Sequence, residues 1–274
     1  MQAESGAPLF VLHGNASQAS HWPVIVVRPW ANVAMSGVYV TGGAGPPCKD
    51  QFEDPQFWQL GTGAGIENEG VLQLINCSVA GNRGTGIKNT GRLVLIGANL
   101  SNNGPAWQGG GLANAGEALV LSSLLEGNVA CANGGGIKHH PNATRQVPRP
   151  RLVVNGTVIA NNSAYGGAGI SISVWGTATG VSVPSLSSAC DLLNPAAVAQ
   201  SVTTLSDTTS LQAGALSFDS CHFALVVMDS IIEGNEAQGL AGGGVHLYGM
   251  DDAIIRAAFV RAKIRTNRDR KSVV

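Results

Sequence analysis

The stretch SLLEGNVACANGGGI, residues 123–137, contains the two short motifs that decide the fold. Its first half places an aliphatic residue three positions before Asn128, and its second half is a glycine run that ends at Ile137. The same two motifs return in the same order in SIIEGNEAQGLAGGGV, residues 230–245. Motifs that recur in a fixed order indicate a repeat architecture, in which one structural unit stacks on the next.

The asparagine motif occurs six times, and an aliphatic residue precedes the asparagine by three positions in every copy. The asparagines are Asn82, Asn103, Asn128, Asn162, Asn235 and Asn267. The aliphatic residues are Val79, Leu100, Leu125, Ile159, Ile232 and Ile264. The glycine motif recurs between these copies, and its shortest period runs from Ile66 to Ile87. A period of that length suits one solenoid coil of short strands and tight turns.

These repeats predict an all-β fold, a single-stranded right-handed parallel β-helix of the pectate-lyase type with about six clear coils. A coil of three short strands cannot bury its inward side chains alone, so coils stack about 4.8 Å apart and pair their backbones. We expect the aliphatic residues to form one ladder inside the solenoid. We expect the asparagines to form an amide ladder at a corner, where asparagine tolerates a left-handed backbone.

The repeat also predicts how the chain is divided. Residues 1–60 are less regular, and we expect an N-terminal cap and the first irregular coils there. The regular β-helix is expected over residues 61–267, its last coil being weak and carrying its basic side chains outward. Residues 268–274 show no strand alternation, so we expect a disordered basic tail.

Two insertions interrupt the predicted solenoid, at about residues 138–151 and about residues 175–215. Both leave the same corner in consecutive coils, so they must emerge side by side. The spacing of the five cysteines matches no zinc or redox motif, which favours a structural role for them. Cys190 and Cys221 are placed to pin the two ends of the second insertion.

Charge and composition exclude some classes of protein. The tail from Ile254 holds seven basic residues and one acidic residue, which leaves an acidic body. That body argues against a nucleic-acid groove, since such a groove needs clustered Lys and Arg. No apolar run is long enough to cross a bilayer, so we expect no membrane-spanning segment.

The location is expected to be extracellular or at the cell surface, because the chain carries six N-glycosylation sequons. They begin at Asn15, Asn76, Asn99, Asn142, Asn155 and Asn161. No signal peptide is visible at the N-terminus. Either the protein is not exported or the sequence begins inside a longer precursor.

The paired motifs resemble the repeats of the polymorphic outer membrane proteins. That family alternates an F-x-x-N motif with a G-G-A-I motif. Here Val, Leu or Ile replaces the Phe, and the second motif is written GGGI, GGGL, GGGV or GGAGI. The resemblance covers roughly residues 61–267 and implies a β-helix, a cell-surface location and a role in adhesion.

One face of the strand that follows each glycine motif is the candidate ligand surface. Its presumed outward positions are Glu67, Lys88, Ala113, Lys138, Ser171 and His246. The two insertions would wall this row, so we expect any ligand to bind there. The candidate binding residues are Lys88, Lys138, Ser171, Trp175 and His246. We expect a polysaccharide or a surface glycoprotein as the partner, and no cofactor or metal.

Catalysis remains an alternative, because many parallel β-helices cleave polysaccharides. A lyase needs acidic calcium ligands and a base, and a glycoside hydrolase needs paired carboxylates. The predicted row contains one acid, Glu67, and the weak catalytic candidates are Lys138, His139 and His246. Surface histidine is the ordinary interpretation of such residues. We therefore favour an adhesive or structural protein over a polysaccharide lyase or glycoside hydrolase.

Overall fold

The fold is a stack of short parallel strands, and it confirms the predicted all-β solenoid. The computed structural model describes residues 10–14, 22–45, 48, 63–140, 152–174, 225–239, 242–249 and 257–269. These ranges hold 27 strands and no α-helix. Across the same ranges, no helix has the length and apolar character needed to span a membrane.

Each complete coil contributes one strand to each of three sheets, and strands are numbered in chain order. The first sheet stacks β2 (Ile25–Val27), β5 (Gly63–Asn68), β8 (Thr85–Asn89), β12 (Leu112–Asn114), β16 (Ile137–His139), β20 (Ile170–Val174) and β24 (Val245–Gly249). The second stacks β3 (Asn32–Ser36), β6 (Val71–Ile75), β9 (Arg92–Ile96), β13 (Glu117–Leu121), β17 (Leu152–Asn155), β21 (Leu225–Met228) and β25 (Ala257–Val260). The third stacks β1 (Phe10–His13), β4 (Val38–Thr41), β7 (Ser78–Ala80), β10 (Asn99–Ser101), β14 (Leu124–Glu126), β18 (Val158–Ala160), β22 (Ile231–Glu233) and β26 (Lys263–Arg265).

Two small sheets lie between the third strand of one coil and the first strand of the next. One pairs β11 (Ala106–Gln108) with β15 (Ala130–Asn133), and the other stacks β19 (Ser163–Ala164), β23 (Glu236–Ala237) and β27 (Arg268–Asp269). The described residues hold seven three-strand coils, from β2–β4 to β24–β26. The coil β2–β4 lies inside the N-terminal region, where irregular first coils were expected.

The aliphatic ladder runs through the third sheet in the predicted register. Leu100 pairs with Val79 on one side and Leu125 on the other, and the row continues through Ile159 and Ile232. All five side chains are completely buried. Burying one such side chain stabilises the folded chain by about 1.5–3 kcal/mol. The row ends at Ile264 in the last described coil, where the side chain is 49% exposed.

The motif asparagines form a continuous ladder of hydrogen bonds. The side-chain Nδ2 of Asn103 donates to Oδ1 of Asn128 at 3.0 Å, and the Asn103 backbone N–H donates to the same oxygen at 3.1 Å. The same Nδ2 also donates to the carbonyl of Val79 at 2.8 Å. This arrangement repeats from coil to coil through Asn82, Asn103, Asn128, Asn162, Asn235 and Asn267. Every ladder amide therefore joins neighbouring coils.

The left-handed backbone expected at the ladder asparagines lies one residue earlier. The residues with positive φ are Gly81, Asn102, Gly127, Asn161, Gly234 and Thr266, with φ from 53° to 66°. The expectation was wrong because each ladder asparagine must aim its own backbone N–H at the next coil. The turn that allows this is made by the residue before it.

The glycine motif packs directly against the asparagine ladder. A Cβ atom at Gly136 would lie 3.0 Å from Nδ2 of Asn162 and 2.7 Å from the carbonyl oxygen of Gly169. A Cβ at Gly111 would meet Asn128 and Gly136 in the same way. The two motifs recur together because the amide ladder occupies the space that a larger side chain would need.

A second internal ladder was not predicted. Asn68 donates to Asn89 at 2.7 Å, Asn89 donates to Asn114 at 2.7 Å, and Asn114 contacts Nδ1 of His139 at 3.0 Å. All four side chains are completely buried. This ladder closes the corner between the first and second sheets, because its asparagines also bond to backbone carbonyls there.

The strands β13, β17 and β21 of the second sheet are largely apolar on both faces. Alternate residues of these strands point into the solenoid, and the residues between them, such as Leu119, Val153 and Val226, point away from it. These outward side chains are nevertheless at most 2% exposed. A parallel sheet that is buried on both faces has this continuous apolar sequence.

The disulfide bond of the described region joins Cys48 to Cys131 across 83 residues of chain. It ties the segment between β4 and β5 to β15, the strand that connects the fourth and fifth described coils. Cys77 is a buried free thiol, and burial raises its pKa. The predicted pair Cys190 and Cys221 lies outside the described residues.

Two predicted boundaries differ slightly from expectation, namely the start of the first insertion and the start of the C-terminal tail. Lys138 and His139 belong to β16, so the first insertion begins later than residue 138. The last coil stacks as predicted, with Arg261, Lys263 and Arg265 exposed. Arg268–Asp269, assigned to a disordered tail, instead form β27 and pair with β23. The parallel pairing continues to residue 269 because the two residues of β23 present backbone groups on the side that faces β27.

Candidate functional site

The predicted ligand row is aligned, but its centre is covered. The six positions Glu67, Lys88, Ala113, Lys138, Ser171 and His246 stand in register across the first sheet. Three of them, Ala113, Lys138 and Ser171, are at most 2% exposed. The glycine motif itself comes over the row: a Cβ at Gly109 would lie 2.8 Å from the Cβ of Ala113. The expected open strip is therefore wrong at its centre.

The N-terminal part of the row is neutralised by an ion pair. Nζ of Lys88 lies 2.8 Å from Oε1 of Glu67, and both side chains are about four-fifths buried. Lys88 was a candidate binding residue. Its charge is already satisfied by Glu67, so it has little left to offer an anionic ligand.

The C-terminal part of the row belongs to a polar cluster on the outer face of β16, β20 and β24. Side chains on one face of a strand are two residues apart, so each strand contributes two residues. We call the six residues the Lys138 cluster: Lys138, His140, Ser171, Ser173, His246 and Tyr248. Lys138, Ser171 and His246 form one row across the strands, and His140, Ser173 and Tyr248 form the next. The residues of the two predicted insertions that follow His140 and Val174 lie outside the described ranges.

Lys138 is the most deeply buried member. Its side-chain Nζ donates to Oγ of Ser171 at 3.2 Å and also to Oγ of Ser173. The residue is only 2% exposed. Burial disfavours the charged amine, and it lowers the pKa of Lys138 from 10.5 to about 7. A substantial fraction of this amine is therefore neutral at neutral pH.

The two histidines of the cluster are also held neutral. Burial is the main cause that lowers the pKa of His140, and the nearby Lys138 lowers it further. The same two causes lower the pKa of His246, and Asp269 opposes them. Nδ1 of His140 lies 2.9 Å from the carbonyl oxygen of Ser173, so this nitrogen carries the proton. At neutral pH the cluster therefore has no fixed charge apart from the protonated fraction of Lys138.

The exposed edge of the cluster is aromatic. The rings of His246 and Tyr248 stack with centroids 6.1 Å apart and an interplanar angle of 25°. Tyr248 is 45% exposed, and His140 and His246 are partly exposed. Exposure therefore rises from Lys138 at the base of the cluster to Tyr248 at its rim.

His139, a candidate catalytic residue, is not part of this cluster. It points into the solenoid, where it ends the second asparagine ladder. Its neighbours in β16 alternate sides, so Lys138 and His139 cannot act on one ligand together. The expectation of a surface histidine was wrong for His139, and His140 takes the outward position. Trp175, a candidate binding residue, lies outside the described residues.

No two acidic side chains of the described strands stand directly beside each other in register. In register, each stands beside a neutral or basic residue: Glu67 beside Lys88, Glu117 beside Arg92, and Glu233 beside Arg265. Arg92 and Glu117 also form an ion pair at 3.0 Å. Over the described ranges, no group of three His, Cys, Asp or Glu residues could hold a metal ion.

Sequence reasoning missed three members of the site, namely His140, Ser173 and Tyr248. Each lies two residues after a member that was predicted: Lys138, Ser171 or His246. The two-residue period of a strand was the signal that could have found them. At His140 this signal was hidden, because residues 138–151 were assigned to an insertion.

In comparisons with known proteins, no family model, curated protein or solved structure matches this chain.

Proposed function

We propose that this protein is an extracellular or cell-surface β-helix that binds glycans at the Lys138 cluster and does not cleave glycosidic bonds. The glycan belongs to a polysaccharide or to a surface glycoprotein. The observation that carries the proposal is the composition of the cluster. It joins a half-exposed tyrosine and two partly exposed, neutral imidazoles on one face of a sheet, above two buried serine hydroxyls.

This composition suits a sugar. Hydroxyl and neutral imidazole groups both donate and accept hydrogen bonds, as sugar hydroxyls do. An exposed tyrosine ring offers an apolar face and a polar tip to a ligand that has both kinds of surface. The three strands of the cluster pair with one another and stack with four further described coils, which hold these groups in place, so little conformational entropy is lost on binding.

The extracellular location is supported by the disulfide bond. Cys48 and Cys131 are bonded, and disulfides persist mainly in oxidising compartments. The six sequons and the resemblance to adhesive surface repeats point in the same direction. Adhesion by a repeat surface needs no catalytic group.

A non-cleaving role is supported by the carboxylates. A glycoside hydrolase uses two carboxyl groups on either side of the scissile bond. The Lys138 cluster contains no carboxylate, and Glu67, in the same row, is paired with Lys88. The described part of the site thus lacks the acids that hydrolysis of a glycosidic bond requires.

A glycan array combined with detection of released reducing ends tests both halves of the proposal. We expect binding to a subset of glycans and no release of sugar. Tyr248→Ala should weaken that binding by roughly tenfold or more, since it removes an aromatic contact. Tyr165→Ala is the matched control, because Tyr165 is 51% exposed, packs on Gly239 and is not a member of the cluster.

Either of two results would refute this proposal. Equal binding by the two tyrosine variants would place the glycan elsewhere. Release of reducing ends by the wild-type protein would show a glycosidase or lyase, located at the Lys138 cluster if Tyr248→Ala abolishes the release and elsewhere if it does not.

A further inference from the structure

The contact between Lys138 and Ser173 goes beyond what glycan binding requires. Nζ of Lys138 hydrogen-bonds to Oγ of Ser173 on the neighbouring strand, at a site where the amine is almost completely buried. No carboxylate within the cluster compensates a charge on this amine. An uncompensated buried charge is costly, so burial at this position favours the neutral form of the Lys138 amine.

We propose that Ser173 is a nucleophile, that Lys138 is its general base, and that the pair hydrolyses small carboxylic esters such as O-acyl groups. A serine hydroxyl is a weak nucleophile until a neighbouring base takes its proton. A neutral lysine amine beside the hydroxyl provides that base, as in the known serine–lysine variants of the catalytic triad. Ser171, the second hydroxyl bonded to Lys138, holds the amine beside Ser173.

The reaction balances with water as the co-substrate. The lone pair of Nζ takes the proton of Oγ, and Oγ forms a bond to the ester carbonyl carbon while the carbonyl electrons move to oxygen. Collapse of this intermediate breaks the bond to the alcohol, which leaves with the proton from Nζ. Water, deprotonated by the same amine, then attacks the acyl carbon, and the bond from that carbon to Oγ breaks as Oγ takes the proton back from Nζ. The products are a carboxylic acid, an alcohol and the free serine.

The developing oxyanion needs a hydrogen-bond donor, and His246 can supply it. Nδ1 of His246 is buried and has no hydrogen-bond partner in the described part of the chain. Its imidazole is neutral, so one of its two nitrogens carries a proton and can donate. His140 acts as a positioning residue, because its Nδ1–H holds the backbone carbonyl of Ser173.

The exposure of the cluster restricts the substrate to a small ester. Ser173 is 7% exposed, so a bulky acyl group cannot reach Oγ. Nothing in the cluster would pair with an ammonium group on the substrate. The exposed ring of Tyr248 lies beside Ser173 in register and would contact the alcohol part. A small neutral acyl group carried on a larger alcohol fits this arrangement.

The test uses the complete folded protein with two small probes, methanesulfonyl fluoride and p-nitrophenyl acetate. We expect the sulfonyl fluoride to modify Ser173, as seen by peptide mass spectrometry. Ester hydrolysis should fall roughly 100-fold or more in Ser173→Ala and in Lys138→Met. Ser101→Ala, a partly buried serine on β10 of another sheet, should keep the rate within about twofold.

The pH dependence of the wild-type protein gives a readout that needs no variant. Labelling of Ser173 should rise with pH through an inflection near pH 7, where Lys138 loses its proton. No labelling at Ser173, or a rate that is flat from about pH 5 to 9, would overturn the proposal. So would an unchanged rate in Ser173→Ala. These outcomes do not depend on glycan binding, so the two proposals stand or fall separately.

Discussion

Nδ2 of Asn128 donates a hydrogen bond to Oδ1 of Asn162, 3.0 Å away, across the boundary between two coils. The backbone N–H of Asn128 donates to the same oxygen at 2.9 Å. The side chain of Asn162 therefore accepts two hydrogen bonds from the preceding coil and donates one to the next asparagine, Asn235. Because Asn128, Asn162 and Asn235 are buried, loss of Asn162 leaves donors and acceptors unpaired on both sides.

Replacing Asn162 by Ala should lower the free energy of unfolding by about 2–4 kcal/mol, because two or more buried polar groups lose their partners. Chemical denaturation measures this loss. Asn155→Ala is the control, since Asn155 is only partly buried and stands outside the ladder. Equal denaturation midpoints for the two variants would show that the ladder does not hold the coils together.

Replacing Ile159 by Ala should cost about 2–5 kcal/mol, because it opens a cavity in the middle of the aliphatic ladder. The matched control is Ile264→Ala, at the same position of the last described coil, where the side chain is 49% exposed. That change should cost about 1 kcal/mol or less, since little surface is removed from the interior. A similar loss in both variants would contradict the observed core.

Lys138 should make stability depend on pH. Between about pH 7.5 and 9 the unfolded lysine is protonated and the folded one is mostly neutral, because burial lowers its pKa to about 7. The unfolded state therefore binds more protons, and stability should rise with pH by up to about 1.4 kcal/mol per unit. Below pH 7 both states are protonated and this contribution becomes constant.

The measurement for Lys138 is the difference between two pH series. Urea denaturation of the wild-type protein should show the rise, and Lys138→Met should remove it. Subtracting the two series cancels other groups that titrate in this range, among them the thiol of Cys77. Parallel curves for the two proteins would mean that Lys138 is solvated in the folded state.

The disulfide between Cys48 and Cys131 should be found by peptide mapping under non-reducing conditions. Reduction should lower the free energy of unfolding by about 2–5 kcal/mol, because the bond closes a long loop in the unfolded chain. Cys77 should react with a thiol reagent only after unfolding, since it is buried. Rapid labelling of Cys77 in the native protein, or recovery of Cys131 as a free thiol, would contradict this arrangement.

The sequence by itself determined the repeat, the aliphatic ladder and the positions of the six asparagines. These features are readable because coils of a solenoid stack on equivalent positions, so the neighbour of a motif residue is the same residue of the next copy. Ile159 could therefore be placed between Leu125 and Ile232 without coordinates. The same reasoning predicts any contact between equivalent positions of successive repeats, because those positions can be aligned in the sequence.

Tertiary structure alone decided the contacts between different motifs. His139 faces inward and His140 outward, and a shift of one residue in the end of a short strand reverses these faces. The burial of Lys138 depends on where the backbone of the glycine motif turns over the row, and the bond between Cys48 and Cys131 depends on a path of 83 residues. The repeat pattern of the sequence does not predict such contacts. They join segments at non-equivalent positions, and the path of the intervening loops decides how close these segments come.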